Sequence, residues 1–220
     1  MALISKMTFI VYGAGGHARV VLDASIASGH NPEFIVDDRP NCSQIYGIPV
    51  IRPSDRRWLN LDNFSFVVAV GCNEARERIY ESMIRKRGGL PAPIIHPTAV
   101  VSPRARIGSG SVVLAGVVVN AEAWIGDNVI LNTACSVDHD CQISNHVHLC
   151  PGSRLAGGVK VGLGSLIGTG ACVIPRVRIG KKVTVGAGSV VVRDLTDRVV
   201  AYGNPARPRS TIAIPRNLES

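Results

Sequence analysis

The sequence predicts two units in series, a small α/β unit with a parallel sheet and then a parallel β-helix. Three observations predict this. Residues 7–94 alternate short apolar strands with helical stretches. From Ile95 onward a large aliphatic residue recurs at every sixth position. Gly is abundant at 23 of 220 residues, while aromatic residues make up 5% and charged ones 18%. Strands alternating with helices favour a parallel sheet, and a hexapeptide period marks a β-helix. The same composition excludes a disordered chain, a coiled coil rich in Glu, Lys and Leu, and a collagen-like chain with Gly at every third place.

In the first unit, Phe9-Ile10-Val11-Tyr12 reads as a strand and Gly13-Ala14-Gly15-Gly16 as the turn that leaves it. His17 to Ser28 has helical spacing, with Val20, Val21 and Ala24 on its inner side. Phe34-Ile35-Val36 reads as a second strand, ending at Asp37-Asp38, and Phe66 to Val70 as another, ending at Gly71-Cys72-Asn73. Ala75 to Arg87 fits a helix with a charged face. The unit has room for about four strands.

The second unit keeps its period without a slip, through Ile95, Val101, Ile107, Val113, Val119, Ile125 and on to Val191. Four places after each aliphatic residue stands Ala, Ser, Cys or Val, from Ala99 and Ala105 to Ser189. Gly often follows the aliphatic residue, as at Gly108, Gly126, Gly162, Gly168, Gly180 and Gly186. Three six-residue sides close one triangular coil of 18. Each side turns one aliphatic chain inward, and the corners require small residues. Stacked coils then bury a continuous core. The expected boundaries are 1–94 for the α/β unit, 95–192 for the β-helix and 193–220 for a cap and tail.

The formal net charge is +8. A basic surplus suits a phosphate-bearing partner or a solvated basic surface. The basic residues are scattered and few aromatics lie among them, which speaks against nucleic acid. No two of the six cysteines form a CxxC pair, so neither a zinc ribbon nor a redox motif is expected. Cys135 and Cys141 fall on the small inward position and read as core. Cys150 and Cys172 lie off it and also read as structural. No apolar run approaches the length of a membrane span. Gly13 to Gly16 interrupt the only early apolar stretch, so no signal peptide is expected and the setting is cytoplasmic.

The hexapeptides resemble the left-handed β-helix acyltransferases. Gly13-Ala14-Gly15-Gly16-His17, Val36-Asp37-Asp38, Val137-Asp138-His139-Asp140-Cys141 and Gly203-Asn204-Pro205-Ala206 narrow the resemblance to the bacillosamine and perosamine N-acetyltransferases and the sialic-acid O-acetyltransferase-like proteins. It covers nearly the whole chain. It implies a homotrimer that uses acetyl-CoA, with an N-terminal domain holding a nucleotide-linked amino sugar. It puts the base on His139 and its acidic neighbour on Asp140, where the bacillosamine enzymes commonly carry Glu. The nucleotide-sugar contacts fall on Gly15, Gly16, His17, Asp37, Asp38 and Gly71. The acetyl-CoA contacts fall on His148, Gly157, Thr169 and Ala187. No metal is expected.

The chemistry fits those residue types. A protonated amine cannot attack a thioester, so a base of near-neutral pKa must take its proton. His139 stands two places after inward Val137, near a corner, where a ring reaches outward. His148 follows nine residues later, half a coil on, so the two histidines converge only in a groove between subunits. His146 reads as surface or a weak substrate contact. Gly13-x-Gly15-x-x-Ala18 after a strand also fits a dinucleotide fingerprint with Asp37 or Asp38 as the ribose acid. The shared physics is a helix N-terminus that receives phosphate, and the short domain favours a nucleotide-sugar diphosphate over NAD. Lys181, Lys182 and Arg207 are candidates for CoA phosphates, none singled out. Asp194 and Asp197 read as solvated. O-acetylation of a sugar remains a second reading, a zinc enzyme built on His139, His146 and His148 a third, and a nucleotide-sugar sensor without turnover a fourth.

Overall fold

The computed structural model describes residues 7–211. The α/β unit runs β1 (Thr8–Tyr12), α1 (Gly16–Ala27), β2 (Phe34–Val36), β3 (Gln44–Ile45), β4 (Ile48–Ile51), α2 (Arg56–Leu59), β5 (Phe64–Val68), α3 (Asn73–Arg87) and β6 (Leu90–Pro91). Its sheet has six strands in the order β3-β4-β2-β1-β5-β6, not about four. The extra members are short: β3 and β6 have two residues each and carry no apolar run to announce them. All neighbours are parallel except β3 and β4. The strand expected from Phe66 starts two residues earlier, at Phe64.

Both faces of this sheet are covered, which is why its strands are apolar without alternation. Ile10, Phe34, Phe66 and Val68 pack under α3 through Tyr80 and Met83. Phe9, Val11, Ile35 and Val67 pack with α1 through Ala18, Val21 and Leu22. That second core continues into Ile94, Val112 and Leu114 of the β-helix, so the two units share it. The buried stripe of α1 is Ala18, Val21, Leu22 and Ser25, the spacing of one helical face. Val20, expected inside, falls off that stripe and is 43% exposed.

The second unit is a parallel β-helix of triangular section, built from two-residue strands. One face stacks Ile94–Ile95, Val112–Val113, Ile130–Leu131, His148–Leu149, Leu166–Ile167 and Thr184–Val185. The second stacks Val100–Val101, Val118–Val119, Ser136–Val137, Arg154–Leu155, Cys172–Val173 and Val190–Val191. The third stacks Arg106–Ile107, Trp124–Ile125, Gln142–Ile143, Lys160–Val161 and Arg178–Ile179. The second residue of each strand points into the prism, and the small residues four places on join it in one core. Cys135 and Cys141 are buried there as expected, and burial pushes the Cys135 thiol up to about 12. The first coil is the exception: Ile95 is 37% exposed and Val101 and Ile107 only partly buried. Among the described residues no coil lies beneath them to close the prism.

Every sixth residue from Gly110 to Gly188 takes a positive φ, including Glu122, Asn128, Ala134, Asp140, His146, Arg176 and Lys182. The corner therefore demands a left-handed residue, the conformation Gly adopts at least cost. The Gly after each aliphatic residue answers a different demand. A Cβ at Gly162 would lie 2.6 Å from the Gly180 carbonyl of the next coil. At the far end Asp194 and Asp197 accept backbone N–H bonds from Arg178 and Lys181, at 2.8 Å each, so they close turns rather than merely face solvent. Val199–Gly203 and Ala206–Thr211 then pair antiparallel over the last coil.

Candidate active site

His139 sits on the corner between the second and third faces, just after the Ser136–Val137 strand. Its backbone is locked from both sides. Its N–H donates to Asp138 Oδ1 at 2.8 Å, which also accepts from Asn120 Nδ2 at 3.0 Å. Its carbonyl accepts from Gly158 N–H of the next coil at 2.9 Å. The left-handed φ of 60° at Asp140 turns that carboxylate back beside the imidazole. His139 Nδ1 and Asp140 Oδ2 are 2.7 Å apart, while both side chains stay open to solvent at 62% and 66% exposure. The hydrogen bond to Asp140 and the nearby charge of Asp138 raise the histidine pKa. A carboxylate only accepts, so Nδ1 carries the proton in the neutral ring and Nε2 is free to take one. Gly157 lies against this edge: a Cβ there would be 2.6 Å from Nε2 and from Cε1 of His139. Beside the corner runs an open groove of about 380 Å³ over the second face, floored by Leu155, Ala156, Val173 and Pro175 and edged by Asp138 and Arg154.

His148 lies elsewhere. It points outward from the first face, where the α/β unit covers it and leaves it 8% exposed. Its ring is 6.1 Å from that of His17, centroid to centroid. Asn132 Nδ2 meets its Nε2 at 3.1 Å, and the Gly71 backbone also faces the ring. His148 Nδ1 and His17 Nε2 are buried without a hydrogen-bond partner. Burial first, and the Arg76 cation second, hold both pKa values down to about 4. His17 comes from the first turn of α1, whose N-cap Gly15 supplies no side-chain bond to the helix end. Asp37 accepts from Ala14 N–H at 2.7 Å and so ties the Gly turn to β2. Asp38 accepts from the Tyr12 hydroxyl at 3.0 Å and edges a broad cleft of about 1070 Å³ between Trp58 and α3.

The chain thus brings His17, His148 and Gly71 together, and separately His139, Asp140 and Gly157. Thr169 and Ala187 stack on a third line, the corner between the first and second faces, where Gly188 N–H donates to Thr169 O at 2.8 Å. His146 is not a surface residue: it is 4% exposed, bonded to Asn128 Nδ2 at 2.8 Å and packed on Tyr80. Its left-handed corner turns it under the α/β unit. The three histidines considered for zinc point to three different places within the chain. Among the described residues no three His, Cys, Asp or Glu side chains gather as metal ligands, and all six cysteines are free. No helix among them is long and apolar enough to cross a membrane.

Sequence reasoning missed Asn132 and Arg76. Asn132 stands two residues short of one 18-residue coil before His148, a near-stack that the period makes visible. Arg76 looked like one more charge on α3.

Comparison with known proteins gives consistent matches. Residues 8–83 match the family described as the PglD N-terminal domain. The GDP-perosamine N-acetyltransferase of Escherichia coli O157:H7 is 30% identical over 211 residues, covering 90% of this chain and 94% of that protein. A histidine-to-asparagine variant of perosamine N-acetyltransferase from Caulobacter crescentus, solved with CoA and GDP-perosamine, superimposes with TM-score 0.87 at 42% identity, over 92% of this chain and 97% of that one. The acetyltransferase domain of PglB from Neisseria gonorrhoeae, solved with acetyl coenzyme A, superimposes with TM-score 0.85 at 42% identity, over 93% and 100%.

Proposed function

The chain belongs to the bacillosamine and perosamine N-acetyltransferase family, built on a left-handed β-helix, and from that premise we propose the substrates, residues and assembly of its reaction. It is an acetyl-CoA-dependent N-acetyltransferase of a nucleotide-linked amino sugar. The sugar amine attacks the thioester carbonyl carbon, the carbon–sulfur bond breaks, and the thiolate leaves as CoA. His139 takes the amine proton on Nε2. Asp140 holds the ring with Nε2 outward and stabilises the imidazolium that forms. No acyl-enzyme is needed, since the amine is itself the nucleophile. The observation that carries this reading is the His139–Asp140 pair, exposed at a corner beside an open groove.

The unit over 1–94 takes the nucleotide sugar. The free N–H groups at the start of α1, around Gly15, Gly16 and His17, face its diphosphate, and Asp37, Asp38 and Gly71 border it. The β-helix over 95–192 takes acetyl-CoA along His148, Gly157, Thr169 and Ala187, and 193–220 caps it. The two histidine clusters stand on different parts of one prism, so a second copy completes each site. The assembly is the homotrimer the family resemblance implies, working in the reducing cytoplasm.

The test is a screen of nucleotide-linked 4-amino sugars, GDP-perosamine first, with acetyl-CoA while free thiol is followed. Release that depends on an amino sugar supports N-acetylation. Release only with hydroxyl acceptors would overturn it in favour of O-acetylation.

A further inference from the structure

Arg76 is among the largest fully buried side chains, 1% exposed. It stands in the first turn of α3, where the helix dipole disfavours a cation. Among the described residues no carboxylate lies within ion-pair distance of it. All five of its N–H donors go to backbone carbonyls instead. Nη1 donates to Val70 O at 3.2 Å and Gly71 O at 3.3 Å. Nη2 donates to His146 O at 2.7 Å and Val147 O at 3.4 Å, and Nε to Asn128 O at 3.1 Å. One side chain therefore joins the loop that carries Gly71 to the backbone that leads into His148. A buried, unneutralised charge is costly, and a neutral side chain would pack there at less cost. Its position against the dipole marks a use beyond packing.

We propose that Arg76 is a positioning residue for the reaction: its five-bond fork rivets the Gly71 loop to the backbone leading into His148, and so sets its cation beside the facing His17 and His148 rings. The groups that face those rings are few. His148 meets His17 from α1, Arg76 from α3 and the Gly71 backbone. His17 meets Arg76 and His148. Arg76 itself is flanked by Cys72 and Glu77. Neutral imidazoles with one unpartnered nitrogen each can then accept or donate a hydrogen bond toward a ligand, which imidazolium rings beside a cation could not do equally.

Two full-length variants test it. In Arg76→Gln the charge is gone, and in Arg76→Lys the charge stays but the five-bond fork does not. Histidine titrations by NMR are expected to place His17 and His148 near 4 in the unaltered chain. In Arg76→Gln both midpoints rise by about half a pH unit or more, about threefold in proton affinity. In Arg76→Lys the midpoints stay, while amide exchange at His146 and His148, whose N–H groups donate to Asp127 O and Ser165 O, quickens by about tenfold or more and exchange in the far coils is unchanged. Unmoved midpoints in Arg76→Gln, or unchanged exchange in Arg76→Lys, overturn the proposal. If Arg76→Gln does not fold, the Arg76→Lys exchange rates alone decide. The catalytic part rests on the function proposed above, but the titrations and exchange do not. A chain inactive on every amino sugar would sink that reading and leave this one still decided.

Discussion

The ring of His139 occupies the space a side chain at Gly157 would fill: a Cβ there would stand 2.6 Å from Nε2. The ring is the far end of an exposed side chain, so it can swing away at little cost to the fold. Gly157→Ala is therefore expected to separate activity from stability. The melting temperature should change by no more than about 2 °C, while the acetyl-transfer rate falls by about tenfold or more as the base leaves its position. His139→Ala sets the floor, a loss of about 10²- to 10⁴-fold. Full activity in Gly157→Ala would mean that the ring position does not matter.

The pH profile follows from Asp140. The hydrogen bond to its carboxylate is the first cause that raises the His139 pKa. The base works unprotonated, so the rate should climb with pH through that raised value. Asp140→Asn removes the cause, and the acid limb should shift to lower pH while the plateau falls by about tenfold. A limb that stays in place would assign the titration to another group, the substrate amine included.

Much of this was legible in the sequence because it is local or periodic. The six-residue spacing writes the core positions directly, and His139 and Asp140 are adjacent. What was hidden depends on distant packing. His17 and His148 meet only because α1 docks on the first face of the prism. Arg76 was one charge among those of a helix read with a charged face, and His146 read as surface or a weak substrate contact, since nothing in α3 or in one corner tells which side the other unit will cover. Ile95 shows the reverse: the period places it inside, but the prism ends there.

Two chains per site is a statement that mixing can check. His139→Ala and His148→Ala chains, each inactive alone, are expected to regain part of the activity when refolded together. A mixed pair of neighbours would contain one site with both histidines intact. No recovery at any mixing ratio, with subunit exchange verified, would place both groups in one chain's site or in none.

Acid should loosen the junction between the two units. His148 refuses a proton until about pH 4 when folded, whereas an unfolded histidine takes one near 6.5. The unfolded state therefore binds more protons between those values, and stability falls as the pH drops from about 6.5 to 4. The full effect is about 3 kcal/mol for His148, and His17 adds to it in the same window. Denaturation midpoints measured across this range should fall steeply, and less so in His148→Asn. Equal slopes for the two proteins would show that His148 is not buried in its neutral form.

The two kinds of corner glycine should fail differently. Alanine at Gly162 would put its Cβ 2.6 Å from the Gly180 carbonyl and 2.7 Å from Lys181 N. Those are backbone atoms of the next coil, which can yield only by parting the stack. The cost is expected to be about 3 kcal/mol, at the upper end of overpacking. Gly170 has φ of +67° and no atom within 4 Å of its missing Cβ. Asn128 holds an equivalent corner at φ 54°, so Gly170→Asn should cost no more than about 1 kcal/mol. Urea midpoints of the two variants give the order. A Gly170→Asn chain less stable than Gly162→Ala would show that the left-handed corner, not the close stacking of coils, limits the fold.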